Sequence, residues 1–358
     1  MSLDLFQNIY QGKKVLITGH TGFKGSWMAI WLKELGAEVY GYALEPYTQK
    51  DNFVTTHLKN KINHRIGDVR HKEDLAQYVQ QIKPDIAFHL AAQPLVIESY
   101  HQPHYNFETN LMGTVNFFEA VRSCSSVKVA INVTTDKCYQ NIEQNIAYKE
   151  DDKMGGDDPY SASKGCSELI THSYEVSFFN SENTAHIASA RAGNVIGGGD
   201  WADNRIIPDL MSGYENNETT IIRNAQSVRP WQFVLEPLYG YLKLGEKLFT
   251  EGKIFSGGWN FGPYPDKTYS VADMVTEVKK WIPEIKVETP ELNNKLHEAK
   301  LLQLSIDKAI QKLGWKPKLN FEQTIKFTIQ GYQDELSSQQ DIYDLRVKQI
   351  KAYCNKNS

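Results

Sequence analysis

Thr134-Thr135-Asp136-Lys137, followed by Tyr160-Ser161-Ala162-Ser163-Lys164, sets a hydroxyl, a carboxylate and an amine in consecutive positions, then a phenol and an amine four residues apart. Residues at i and i+4 share one face of a helix, so Tyr160 and Lys164 can address the same reacting atom. An ammonium beside a phenol is expected to lower the phenol's pKa from its ordinary value of about 10. A phenolate near neutral pH takes a proton from a hydroxyl while hydride leaves the same carbon. Such an oxidation needs Tyr160, Lys164 and an orienting hydroxyl such as Thr135. Asp136 and Lys137 exceed that need. Once a carbon has become a ketone, its neighbour's C–H is acidic, and expelling a hydroxyl one carbon further on needs a base and an acid. Asp136 is the candidate acid. Lys137 is either the base, which requires a pKa lowered by burial or a like charge, or a charge that stabilises an enolate; both readings stand at this stage.

The elements that must carry these groups begin at Lys14-Val15-Leu16-Ile17-Thr18, a short apolar run that reads as a buried parallel strand. It enters Gly19-His20-Thr21-Gly22-Phe23-Lys24-Gly25, after which apolar residues recur at Phe23, Trp27, Ile30, Trp31 and Leu35, the spacing of a helix with one buried face. Glu38–Leu44 reads as a second strand. In a strand, glycine turn, helix, strand unit, the glycines allow close backbone approach and the helix N-terminus receives a pyrophosphate. Glu45 just past the second strand, with no Arg nearby, favours NAD over NADP, because a carboxylate there suits a free ribose 2′-hydroxyl. Lys24, within the turn, is expected nearer the pyrophosphate than the ribose. Further apolar runs at Ile62–Ile66, Asp85–Leu90, Val127–Val133 and His186–Ala190 alternate with helical segments, predicting an α/β fold with a Rossmann-type doubly wound parallel sheet. Ser256–Pro263 reads as a strand returning to that sheet.

The chain has 358 residues, 41% hydrophobic and 23% charged, an ordinary globular balance with room for one large or two modest domains. A formal net charge of −4 favours neither nucleic acid nor an anionic membrane. No apolar run approaches the roughly 18 residues that span a bilayer, and Met1–Phe6 lacks the basic and apolar regions of a signal peptide. Cys124, Cys138, Cys166 and Cys354 show no metal-ligand spacing and read as free thiols, so no metal is expected and a cytoplasmic location is. The C-terminal end is polar and expected to fray.

The GxxGxxG spacing together with the Tyr160 and Lys164 pair resembles the short-chain dehydrogenase/reductase superfamily, as do Gly67-Asp68-Val69 and His89-Leu90-Ala91-Ala92-Gln93. The resemblance implies cofactor contacts at Gly19, Thr21, Gly22, Phe23, Lys24, Gly25, Asp68, Val69, Leu90, Ala91, Ala92 and Gln93, as well as Tyr160 and Lys164. Leu304–Ala309 and Leu313–Pro317 resemble the C-terminal lobe of the extended branch, which acts on nucleotide sugars. The 4,6-dehydratases of that branch carry Thr-Asp-Glu where this chain has Thr135-Asp136-Lys137. A Lys there, with Gly19–Trp27, Met154-Gly155-Gly156, Arg191–Trp201 and Arg229-Pro230-Trp231-Gln232, resembles the CDP-glucose 4,6-dehydratase family from about Gly12 to Pro317. That resemblance implies tightly bound NAD, CDP-glucose as substrate, its conversion to the 4-keto-6-deoxy sugar for surface polysaccharide such as lipopolysaccharide, and a homodimer. A nucleotide-sugar 4-epimerase, or a dehydratase of another nucleotide hexose, is the alternative.

From Gly197 the composition turns to prolines, aromatics and basic residues. Arg205, Arg223 and Arg229 carry guanidinium forks suited to a diphosphate. With Thr135, Asn194, Pro208, Gln232 and His297 they form the expected substrate set. The expected division is a cofactor domain over residues 1–196, with returning segments near 230–262, and a smaller nucleotide-sugar lobe over 197–229 and 263–358.

Overall fold

The computed structural model describes residues 5–144, 146–181, 183–265, 268–290, 302–337 and 339–356. Seven strands form one parallel sheet: β1 (Lys14–Thr18), β2 (Glu38–Ala43), β3 (Asn63–Ile66), β4 (Ile86–His89), β5 (Val129–Val133), β6 (His186–Ala192) and β7 (Gly257–Phe261). Their order is β7-β6-β5-β4-β1-β2-β3. The sequence therefore starts mid-sheet, winds to one edge, and then crosses to the other side of β1. That reversal of direction, between β1 and β4, leaves a crevice at the carboxyl ends of the strands, where such sheets hold ligands.

The longer helices are α1 (Phe23–Glu34), α2 (Lys72–Ile82), α3 (Gly113–Ser123), α4 (Pro159–Phe178), α5 (Ile206–Asn216), α6 (Leu235–Glu251), α7 (Val271–Trp281), α8 (Phe321–Ser337) and α9 (Ile342–Cys354). Successive strand side chains point to opposite faces, and β1 divides its residues accordingly. Val15 and Ile17 join a core with α1 and α6, whereas Leu16 joins a separate core with α2 and α3. A third cluster, including Leu210, Met211, Met274, Val278 and Ile325, packs α5, α7 and α8 together.

Two expectations need correction. The reading of α1 as a helix with one buried face fails, because all six residues from Trp27 to Leu32 are buried. The reason lies at the far end of the chain. The C-terminal stretch expected to fray is α9, which covers the outer side of α1: Tyr353 meets Trp31 edge-on at 6.0 Å, and the Arg346 guanidinium lies 5.0 Å from the Trp27 ring centre. Arg346 is wholly buried and donates to Asn52 Oδ1 at 2.9 Å. Among the described residues, no helix is long and apolar enough to cross a membrane, and all four cysteines are free.

Candidate active site

The β1–α1 turn is as tight as backbone chemistry allows. Gly19 takes φ +77°, and a Cβ there would stand 2.6 Å from the Ala91 amide nitrogen; one at Gly25 would stand 2.1 Å from the Gly19 carbonyl oxygen. Only glycine fits either place. α1 opens at Gly22 with no side chain capping it and no acidic residue in its first turn. Its leading N–H groups therefore lack both intrahelical partners and a competing anion. Thr21 is used locally, donating to Leu44 O at 2.9 Å, which ties the turn to the end of β2. Phe23 packs towards Gly197. Glu45 is exposed beyond β2.

Lys24 lies in the first turn of α1. Its side chain runs inward, with Nζ 5.9 Å from the Tyr241 ring centre. Burial lowers its pKa to about 8, helped by Lys164 and Arg205 and opposed by Asp136. A turn lysine expected beside the pyrophosphate thus reaches the neighbourhood of the candidate catalytic groups. Asp68 is likewise engaged: Arg70 donates to its carboxylate from Nη2 at 2.6 Å, from Nε at 2.9 Å and from its backbone N–H at 2.9 Å. Burial pushes the Asp68 carboxyl up, but the Arg70 contacts outweigh it and hold it below the usual range. Val69 is buried and its carbonyl accepts from Asn116 at 2.9 Å. Leu90 N–H donates to Thr18 O at 3.0 Å, fixing the β4 loop beside the glycine turn, where Ala91 and Ala92 follow half-buried.

Gln93 begins a chain of contacts that leads to the backbone of Tyr160. Its N–H donates to Asn110 Oδ1 at 2.8 Å; Asn110 Nδ2 donates to Ser163 Oγ at 2.9 Å; and Ser163 Oγ donates to the Tyr160 carbonyl at 2.7 Å. Asn110 stands in a π-helical turn, Glu108–Met112, which leads into α3. α4 itself is well started. Asp158 caps it by accepting from Ser161 N–H at 2.9 Å, and Pro159 occupies the first helical position, where a missing N–H costs nothing.

Tyr160 and Lys164 therefore sit in the first two turns of α4, both buried, beside the end of β5. The expected pKa effect of Lys164 on Tyr160 is not what the geometry gives. Lys164 Nζ donates to the Val133 carbonyl at 3.2 Å, and burial lowers its own pKa to about 8. Burial pushes the Tyr160 phenol up to about 12, against a hydrogen bond with Thr135 and the positive charge of Arg205. Desolvation of a buried phenolate outweighs the cations around it.

Thr135 is the hub of the remaining group. It caps the short turn Asp136–Cys138, and its hydroxyl donates to Asp136 Oδ1 at 2.9 Å. Asp136 is buried against Gly193 and Pro230. Burial raises its pKa despite Lys137, Thr135 and Arg229, so the protonated form persists above the ordinary carboxylate range. Lys137 is half-buried beside it.

The three arginines face different carboxylates. Arg229 faces Asp136. Arg205 pairs with the buried Asp200 at 2.9 Å and faces Tyr160. Arg223 is exposed and faces Asp209 instead. Asn194 supplies its carbonyl to Gln232 N–H at 3.0 Å, and Gln232 Nε2 donates to Phe261 O at 3.1 Å, which ties both to the end of β7. Pro208 is buried in the first turn of α5. His297 lies outside the described residues.

The profile of the GDP-mannose 4,6 dehydratase family matches residues 16–328. The chain belongs to that family. It is 46% identical over 323 residues to a CDP-glucose 4,6-dehydratase of Salmonella typhimurium, with 89% of this chain and 90% of the relative covered. Among solved structures, an epimerase from Methanothermobacter thermautotrophicus superposes with a TM-score of 0.78 at 22% identity, covering 97% of each chain. A dTDP-glucose 4,6-dehydratase from Bacillus anthracis in complex with NAD superposes with a TM-score of 0.75 at 17% identity, covering 94% of this chain and all of the other.

Within this member of the family, some residues at the site went unread in the sequence. Asn110 and Ser163 look like ordinary polar residues in helices and offered no signal. Arg191 did: a charge inside the apolar run of β6 must be paired. Tyr241, wholly buried on α6 with its hydroxyl unpartnered and Asp136 and Tyr160 in electrostatic range, carried none.

Proposed function

We propose that this protein is an NAD-dependent 4,6-dehydratase that converts CDP-D-glucose to CDP-4-keto-6-deoxy-D-glucose and water. The observation that carries the reading is Asp136. A buried carboxyl whose pKa is raised, hydrogen-bonded through Thr135 to the site of Tyr160, is a surplus for an epimerase and a requirement for expelling a hydroxyl. The 46% identity to a CDP-glucose 4,6-dehydratase supports the cytidine nucleotide and the reaction together.

The residues present fit a dinucleotide: the glycine turn leaves no room for Cβ atoms and the uncapped start of α1 presents N–H donors to a diphosphate. When bound, NAD accepts the hydride from C4 of the hexose and returns it to C6. The protein supplies the rest. Tyr160 takes the proton from the C4 hydroxyl, with Thr135 orienting that hydroxyl. With a ketone at C4, the C5 proton is removed. Asp136 gives its proton to the C6 hydroxyl, which leaves as water, and a proton returns to C5 after C6 has been reduced. Neither hydride nor cofactor is consumed.

Incubation with CDP-glucose deuterated at C4 tests this directly. The expected product carries deuterium at C6 and gives the alkali-induced absorbance of a 4-keto-6-deoxy sugar, whereas GDP-mannose and UDP-glucose give little. Galactose-configured product without elimination would establish an epimerase instead.

Arg229, facing Asp136, is the arginine proposed to hold the substrate's phosphates. Arg229→Lys keeps the charge and loses the fork, so KM for CDP-glucose should rise about tenfold while kcat changes less. An unaltered KM in steady-state kinetics would make this arginine structural.

A further inference from the structure

The segment that carries Thr135, Asp136 and Lys137 is held at both ends by one buried ion pair. Glu168 lies on α4, one turn beyond Lys164, and Arg191 lies on β6; their Oε2 and Nη2 are 2.8 Å apart with both side chains almost wholly buried. At the segment's start, the Thr134 hydroxyl donates to Glu168 Oε1. At its finish, Arg191 Nη1 donates to the Tyr139 hydroxyl at 2.6 Å, and that hydroxyl donates to Asn260 Oδ1 at 2.7 Å. Two further contacts hold the pair, although Arg191 Nε is buried without a hydrogen-bond partner. Ser189 Oγ donates to Glu168 Oε2 at 2.6 Å, and Arg191 Nη1 also donates to the Glu150 carbonyl at 2.9 Å.

A buried pair of this kind carries a desolvation cost that a hydrophobic pair would avoid. It is therefore weak as a device for stability alone. What it does achieve is geometric. The redox pair Tyr160 and Lys164 rides on α4, while Asp136 rides on the loop after β5. Glu168 belongs to the helix of the first and grips the loop of the second; Arg191 passes that grip to the loop's other end. We infer that the Glu168–Arg191 pair is a positioning unit that fixes Asp136 and Lys137 relative to Tyr160 and so sets the rate of elimination after oxidation. The kinetic part rests on the dehydratase reading; the geometric part does not.

The clamp can be loosened at each end without breaking the ion pair. Thr134→Val removes the donor to Glu168, and Tyr139→Phe removes the hydroxyl that Arg191 holds while keeping the ring. In either variant kcat should fall roughly 10–100-fold, because a small misplacement of a reacting group costs on that scale. KM for CDP-glucose should hold. Quenching with borodeuteride should trap a 4-keto hexose that the natural enzyme does not accumulate, since oxidation still runs. Thr134→Ser, which retains the donor, should restore the natural behaviour. Loss of melting temperature alone, with kcat per folded molecule unchanged, would overturn the inference, and so would an equal loss of oxidation and elimination. A second measurement needs no substrate. Amide hydrogen exchange across residues 135–139 should quicken roughly tenfold in either variant, the scale of one lost hydrogen bond. Unchanged exchange overturns the clamp whatever the kinetics show. A natural protein inert toward CDP-glucose would count against the dehydratase reading, and the exchange would still decide the clamp.

Discussion

Tyr160→Phe should fold, bind NAD and turn over CDP-glucose roughly 10²–10⁴-fold more slowly, the usual contribution of a positioned general base. The phenol's own environment sharpens the expectation. Burial pushes its pKa up to about 12, so phenolate is scarce near neutral pH before any ligand binds. The base is the phenolate, so oxidation draws on the deprotonated fraction of Tyr160 and should quicken as pH rises. The hydrogen bond with Thr135 and the field of Arg205 both favour the charged form and point to where help arrives. Thr135→Val should therefore slow the same step, and its rate should level off at a higher pH than that of the natural enzyme, since one source of phenolate stabilisation has gone. Stopped assays of product from C4-deuterated substrate check both variants. Turnover of Tyr160→Phe within about twofold of the natural enzyme would remove this residue from the mechanism, as the effect would be far below that of a lost base.

Much of this arrangement is legible in the amino-acid sequence, and the reasons differ residue by residue. β1 and the glycine turn were legible because parallel strands are continuous apolar runs and because tight backbone approach demands glycine at fixed positions. Tyr160 and Lys164 were legible through helical spacing. Glu168 continues that same spacing by one more turn, and its role is plain only once β6 has brought Arg191 alongside; a spacing rule sees one element and the ion pair needs two. The same limit explains α1. Periodicity marks the face turned to the sheet, whereas the burial of its other face depends on α9, more than 300 positions away in sequence, packing across it. The pKa of Tyr160 went the other way from expectation for a related reason: charge proximity can be inferred from spacing, but desolvation belongs to the whole surrounding fold. Arg205, Arg223 and Arg229 looked alike in the sequence and were separated by their carboxylate neighbours: Asp200 for the first, Asp209 for the second, Asp136 for the third.

Asp136→Asn should oxidise C4 and then stop. The amide keeps the shape of the carboxyl and still accepts from Thr135, so the site should assemble, but it has no proton to give a departing hydroxyl. Formation of 4-keto-6-deoxy product should fall roughly 10²–10⁴-fold, with a 4-keto hexose trapped by borodeuteride in its place. The pH dependence follows from the raised pKa of the carboxyl. A group protonated in its working form acts below its pKa and fails as pH rises through it. Elimination in the natural enzyme should thus decline on the alkaline side, at a pH above that at which an ordinary carboxyl has lost its proton, and the asparagine variant should lack that limb. Lys137 separates by a different measurement. Lys137→Met, if the amine is the C5 base, should abolish entry of solvent deuterium at C5. If the amine only stabilises the enolate, exchange should slow without vanishing, because such a charge is typically worth a few kcal/mol and is not indispensable. Natural turnover in both the Asp136 and Lys137 variants would leave the loop without chemical work to do, and the oxidation centre at Tyr160 would then be that of an epimerase.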